Sequence, residues 1–294
     1  MTGFDLPPGY EPPAGEFDRW RELGPGVLVR RHRAFDLNVT LVLGDDRALV
    51  VDTHAHDGYA RELITAIRSV TALPWVVLLT HAHFDHSFGT GTFAAEQPDL
   101  EIWSHQACHD ELARGGGLQR EFAAGFFQEA GHDNDAGAVR DVEVALPNRT
   151  LTADAELDLG GRVVHLYHPG RGHTDHDVVV DVPDAGVSVL GDLVEQGAPP
   201  SFEDAYPLDW PGTLTGLLPR LRPVVVPGHG DVVDPGFVAD QRDDLAVVAD
   251  AARALPADAE EPDLLRAAAR LPVGRRAGLD ALRRSRALRL PRQA

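Results

Sequence analysis

Between residues 81 and 86 the chain reads His-Ala-His-Phe-Asp-His, placing three imidazoles and a carboxylate within six consecutive positions just after the apolar run Pro-Trp-Val-Val-Leu-Leu at 74–79. Neutral imidazole and carboxylate are ligands that zinc and other divalent ions accept. A regular strand splays alternate side chains to opposite faces, whereas a strand that breaks into a loop can turn four of them toward one point. A merely solvated loop would not normally interleave an aspartate with three histidines. The chain holds 14 histidines, and they gather where apolar runs end.

Those runs define the elements that must position the cluster. After a proline- and glycine-rich arm over residues 1–25, three β-like runs at 26–32, 38–45 and 48–53 predict an antiparallel meander. Tyr59, Leu63, Ile64, Ile67 and Val70 then recur at helical spacing before the strand that ends at Thr80. Residues 105–139 carry Leu112, Phe122, Phe126 and Phe127 among glycines and charges, a helical lid candidate outside the strand pattern. Strand-like runs resume at 150–161, 162–168, 177–182, 186–191 and 223–228. From Phe237 the pattern is helical to the end.

Composition narrows the chemistry. The 294 residues are 43% hydrophobic and 25% charged, ordinary for a globular chain. All 27 basic residues are arginine, which removes Schiff-base and lysine-base chemistry and the phosphate loop that needs a lysine. A net charge of −19 disfavours nucleic acid and anionic membrane surfaces as partners. Residues 262–294 nevertheless carry +7, leaving −26 on the rest, which reads as a solvated helix face complementing an acidic body. The single cysteine, Cys108, permits no internal disulfide, and no leader or membrane-length apolar run is present, so a cytoplasmic location is expected. No Gly-x-Ser-x-Gly elbow supports a serine nucleophile.

The segment His81-x-His83-x-Asp85-His86 resembles the signature of the metallo-β-lactamase-fold hydrolases. Three later motifs match that family in order, each after a predicted strand: Gly172-His173-Thr174, Gly191-Asp192 and Pro227-Gly228-His229-Gly230. The resemblance covers roughly residues 26–235 and implies an α/β fold, an αββα sandwich with metals at one edge, followed by a carboxy-terminal helical appendage over 236–294. Carried over residue by residue, it implies one ion held by His81, His83 and His173, a second held by Asp85, His86 and His229, and Asp192 bridging them. It implies two divalent ions per chain, zinc first and iron or manganese as alternatives. A hydroxide between two such ions can attack a small ester-like carbonyl without a protein nucleophile, and Asp85 would orient it and carry a proton. Aspartate at 192 matches glyoxalase-II-like thioesterases and lactonases, and retention of His83 favours hydrolysis over di-iron redox relatives. The expected substrate is therefore a thioester, lactone or lactam, the alternatives being a mononuclear iron oxygenase of the persulfide dioxygenase kind or a small phosphoester hydrolase. Oligomeric state is left open.

Asp52-Thr-His54-Ala-His56 taken alone resembles the opening motif of amidohydrolase barrels, but a barrel of eight βα units needs more chain, and the bridging lysine is absent. Within the preferred family the resemblance implies that Asp52 partners a ligand histidine. His176, Phe126 and Phe127 are candidate substrate contacts, against the ordinary readings of an exposed turn and of core aromatics.

Overall fold

The computed structural model describes residues 17–129, 131–256 and 258–290. Two sheets form its centre. The first carries seven strands in chain order: β1 (Trp20–Gly24), β2 (Val27–Arg31), β3 (Asn38–Leu43), β4 (Ala48–Val51), β5 (Trp75–Leu78), β6 (Ile102–His105) and β7 (Arg149–Leu151). It is antiparallel through β4 and parallel from β4 to β7. The second holds β8 (Ala155–Asp158), β9 (Val163–Tyr167), β10 (Val179–Val182) and β11 (Val187–Glu195), all antiparallel, with β12 (Val224–His229) parallel to β11 at its edge.

Alternation sorts the side chains into layers. In β4 and β5, Leu49, Val51, Val76 and Leu78 face the second sheet, while Ala48, Val50, Trp75 and Val77 face helices. A strand covered on both faces reads as an unbroken apolar run, which is why these strands were legible. On the outer face of the first sheet lie α1 (Asp57–Arg68), the short α2 (Phe84–Ser87), α3 (Thr90–Glu96), α4 (Gln106–Glu129) and α5 (Asp133–Asp141). The second sheet is covered by α6 (Trp210–Leu217), α7 (Pro235–Ala254), α8 (Glu261–Ala268) and α9 (Arg275–Arg289). The result is the αββα sandwich with helices at its carboxy-terminal end.

Two elements depart from the sequence reading. The arm over 1–25 was expected to be irregular, yet Trp20–Gly24 pairs with β2, and Trp20 Nε1 donates to the Ala66 carbonyl of α1. Strand pairing satisfies backbone groups that proline-rich chain would otherwise leave to water; residues 1–16 lie outside the described residues. The helical stretch beginning at 105 is preceded by β6, whose Ile-Trp-Ser-His is too short and polar to announce a strand. No described helix is long and apolar enough to cross a membrane.

Candidate metal centre

Four strands deliver the candidate ligands to one edge of the sandwich. Beyond β5 the chain turns through His81 and His83 into α2, which carries Asp85 and His86. The loop after β9 presents His173, β11 presents Asp192 and β12 ends on His229. Two groups of donor atoms result, His81 with His83, His173 and Asp192, and Asp85 with His86 and His229. Asp192 faces both. Its Oδ2 stands 3.7 Å from His81 Nε2, 3.5 Å from His173 Nε2 and 3.3 Å from His229 Nε2, and its Oδ1 is 3.2 Å from His86 Nε2. All seven residues singled out as ligands thus meet in space, and the donor spacings suit an ion whose tetrahedral ligands at ~2.1 Å would stand ~3.4 Å apart.

The opposite ring nitrogens explain which atoms face the centre. Asp52 Oδ2 accepts from His86 Nδ1 at 2.8 Å and from the Thr80 hydroxyl at 2.8 Å. That hydroxyl lies 3.0 Å from His81 Nδ1, leaving His81 Nε2 buried with no hydrogen bond. The Phe35 carbonyl accepts from His229 Nδ1 at 2.7 Å. Asp204 lies at 3.0 and 3.1 Å from His83 Nε2, so His83 turns Nδ1 inward, 2.9 Å from His173 Nε2. An acceptor on one ring nitrogen places the proton there and frees the other as a donor of electrons, the arrangement that ligating histidines need. Asp52 thus lies directly behind His86, and behind His81 through the Thr80 hydroxyl.

Backbone strain accompanies this precision. Asp52 and His54 turn away from β4 with φ of 69° and 74°, and Phe35 and Asp36 sit at 64° and 58° between β2 and β3. Non-glycine residues persist in the left-handed region when surroundings over-determine them. Here Arg31 pairs with both Asp36 and Asp231, tying the Phe35 loop to the chain just beyond His229.

Electrostatics ask for positive charge at the same point. Burial alone would lower every histidine here, and it does hold His81 well below its ordinary value. Against burial, Asp204 raises His83 to about 9, Asp192 and Asp85 raise His229 to about 10, and Asp192, Asp85 and Asp52 hold His86 well above normal. Asp192, despite burial, is kept well below the usual carboxylate range by His86, His229, His81 and His173.

The centre floors a cavity of about 520 Å³ whose lining includes Phe35, Phe84, Phe122 and Phe126 together with Glu111, Glu195, Glu203 and Asp204. Of the candidate substrate contacts, Phe126 lines it at 45% exposure, whereas Phe127 is fully buried in the helix-side core. His176 is buried too. Its Nε2 accepts from the Ala82 amide at 3.2 Å and its Nδ1 lies 2.9 Å from Asp175, so it braces the loop between two ligands. Phe35, Phe122, Glu195 and Asp204 were not singled out from sequence. Strand alternation would put Glu195, three residues beyond Asp192, on the opposite face, but the register of β11 shifts between Gly191 and Glu195 and both residues line the cavity; Asp204 lies in a loop with no periodic signal. Replacing Asp204 by asparagine should weaken metal binding roughly 10–100-fold, since the His83 ring loses the carboxylate that fixes it. Titration with a competing chelator measures this, and unchanged affinity would mean the contact is incidental.

Comparison with known proteins agrees with the fold. The family model described as the metallo-beta-lactamase superfamily matches residues 33–214. A metallo-beta-lactamase type 2 of Bacillus cereus is 28% identical over 206 residues, covering 67% of this chain and 69% of that one. The acyl-coenzyme A thioesterase MBLAC2 of Bos taurus is 24% identical over 232 residues, covering 74% and 79%. Among solved structures, a metallo-beta-lactamase from Pontibacter korlensis superposes with a TM-score of 0.61 at 22% identity, covering 78% of this chain and 98% of that one. With the family model spanning more than half of its length, the chain belongs to the metallo-beta-lactamase superfamily.

Proposed function

We propose that the chain is a dinuclear, zinc-dependent hydrolase of small ester-like carbonyl compounds. The observation that carries this reading is the Asp192 carboxylate standing within 3.7 Å of ring nitrogens from both donor groups. His81, His83 and His173 would hold one ion and Asp85, His86 and His229 the other, with Asp192 between them. Bound there, the two ions supply the acidity that generates hydroxide near neutral pH and a Lewis acid for the carbonyl oxygen. Asp85, whose Oδ2 lies 3.5 Å from His229 Nε2, faces the cavity and would take the proton of the attacking water and return it to the leaving group. The phenylalanine wall would exclude bulk water and hold the apolar part of a substrate. The activities named for these relatives, a β-lactamase and an acyl-coenzyme A thioesterase, both concern acyl carbonyls, which supports a carbonyl over a phosphoester. The buried, unpaired Cys108 supports a cytoplasmic location.

Elemental analysis after expression with zinc is expected to give two ions per chain, and a panel of thioesters, lactones, β-lactams and phosphodiesters to show turnover of a carbonyl class that a chelator abolishes. One iron per chain with consumption of oxygen would replace this reading by the oxygenase, and less than one metal with chelator-insensitive activity would remove the dinuclear centre.

A further inference from the structure

The lining of the cavity narrows the substrate beyond its reactive bond. Resting on the hydrolase reading, we propose that this site selects carbonyl substrates that are apolar at one end and cationic at the other, accepts neutral ones less well, and rejects those carrying a carboxylate, sulfonate or phosphate.

One wall is aromatic. Phe35 packs 5.4 Å from Phe84 and 5.6 Å from Phe126, and Phe122 continues the surface 6.5 Å from Phe84. Phe122 and Phe126 stay 54% and 45% exposed, a large apolar area to leave toward solvent unless something lies on it. Acidic side chains complete the lining: Glu195 from β11, Glu203 and Asp204 from the loop after it, and Glu111 from α4. Every ionisable side chain lining the cavity among the described residues is a histidine or a carboxylate. The six carboxylates outnumber the four positive charges that two divalent ions would bring.

The nearby arginines do not reverse this. Arg284 donates to the carbonyls of Asp204 and Ala205, and Arg171 lies 4.9 Å above the Tyr206 ring. A carboxylate-rich, partly desolvated cleft favours a cation and penalises an anion, ring faces add to the attraction of an ammonium group, and a chain of net charge −19 steers cations toward it.

The test uses the metal-loaded protein and three phenylacetyl esters that share an acyl group and a two-carbon linker: the esters of choline, 3,3-dimethylbutanol and isethionate, ending cationic, neutral and anionic. Expected is a kcat/KM about tenfold higher for the choline ester than for the neutral one, and at least tenfold lower for the isethionate ester. The spread should shrink as salt rises, and Glu111→Gln with Glu203→Gln should pull the cationic-to-neutral ratio toward one. The corresponding phenethyl ethers, which offer no carbonyl, are measured by calorimetry and should bind in the same order. Equal or reversed order in either measurement overturns the charge preference. Ethers that bind in the expected order while no ester is cleaved leave the preference standing and remove the ester-hydrolase reading instead.

Discussion

Asp192→Asn is expected to lower kcat/KM roughly a thousand-fold, the equivalent of about 4 kcal/mol in the barrier, and to leave the protein with fewer than two bound ions. The carboxylate is enclosed by the ring nitrogens of four histidines, and its two oxygens face different members of the two donor groups. An amide of the same shape keeps one acceptor, turns the other into a donor and loses the negative charge that both groups share. The four histidines hold the buried carboxylate well below its usual range, so its charge stabilises the metal-free fold, and the metal-free variant should melt below the metal-free parent at neutral pH. Metal stoichiometry, turnover and melting temperature on one preparation decide it. Two ions and an unchanged rate would show that Asp192 bridges nothing.

How much of this was legible in the sequence follows from how local each feature is. His81, His83, Asp85 and His86 announced themselves because one strand-to-helix turn carries them all, and the strands beneath were visible because both faces are covered with apolar side chains. His173, Asp192 and His229 became assignable once a family pattern gave their order, since nothing local marks them. Asp204 was silent. It reaches His83 only because the loop after β11 folds back over the centre, where Arg284 of α9 holds the carbonyls of Asp204 and Ala205. The arginine-rich segment, read as a solvated face complementing an acidic body, proves in part to be an internal strut: Arg286 and Arg289 likewise donate to the carbonyls of Ala259 and Leu255. The aromatic pair at 126 and 127 shows the limit of pattern from the other side. Adjacent residues on one helix point in different directions, and only the backbone's placement against Phe35 determines which ring meets the cavity and which meets the core.

The second large effect is expected at a residue with no side chain. At Gly228, in the last turn of β12 before His229, an added Cβ would lie 1.7 Å from Asp192 Oδ1 and 2.9 Å from the Gly191 carbonyl carbon. Neither neighbour yields easily. Asp192 is held among imidazoles and is only 5% exposed, and Gly191 belongs to β11, whose parallel pairing with β12 runs through Gly191 and Pro227. Gly228→Ala must therefore rotate the carboxylate away from the histidines or push the edge strand outward and take His229 with it. Overpacking of this kind costs about 1–3 kcal/mol of stability. The loss of ligand geometry should be worse than the loss of stability, bringing metal content and turnover down as far as Asp192→Asn does. Gly212→Ala provides the contrast, since a Cβ there, in helix α6, meets no heavy atom within 4 Å. That variant should keep both ions and gain up to about 1 kcal/mol from a less flexible unfolded chain. Elemental analysis and thermal melting of the two variants side by side give the answer: Gly228→Ala with two ions and parental turnover would mean that β12 and the Asp192 carboxylate are not packed as closely as this geometry requires.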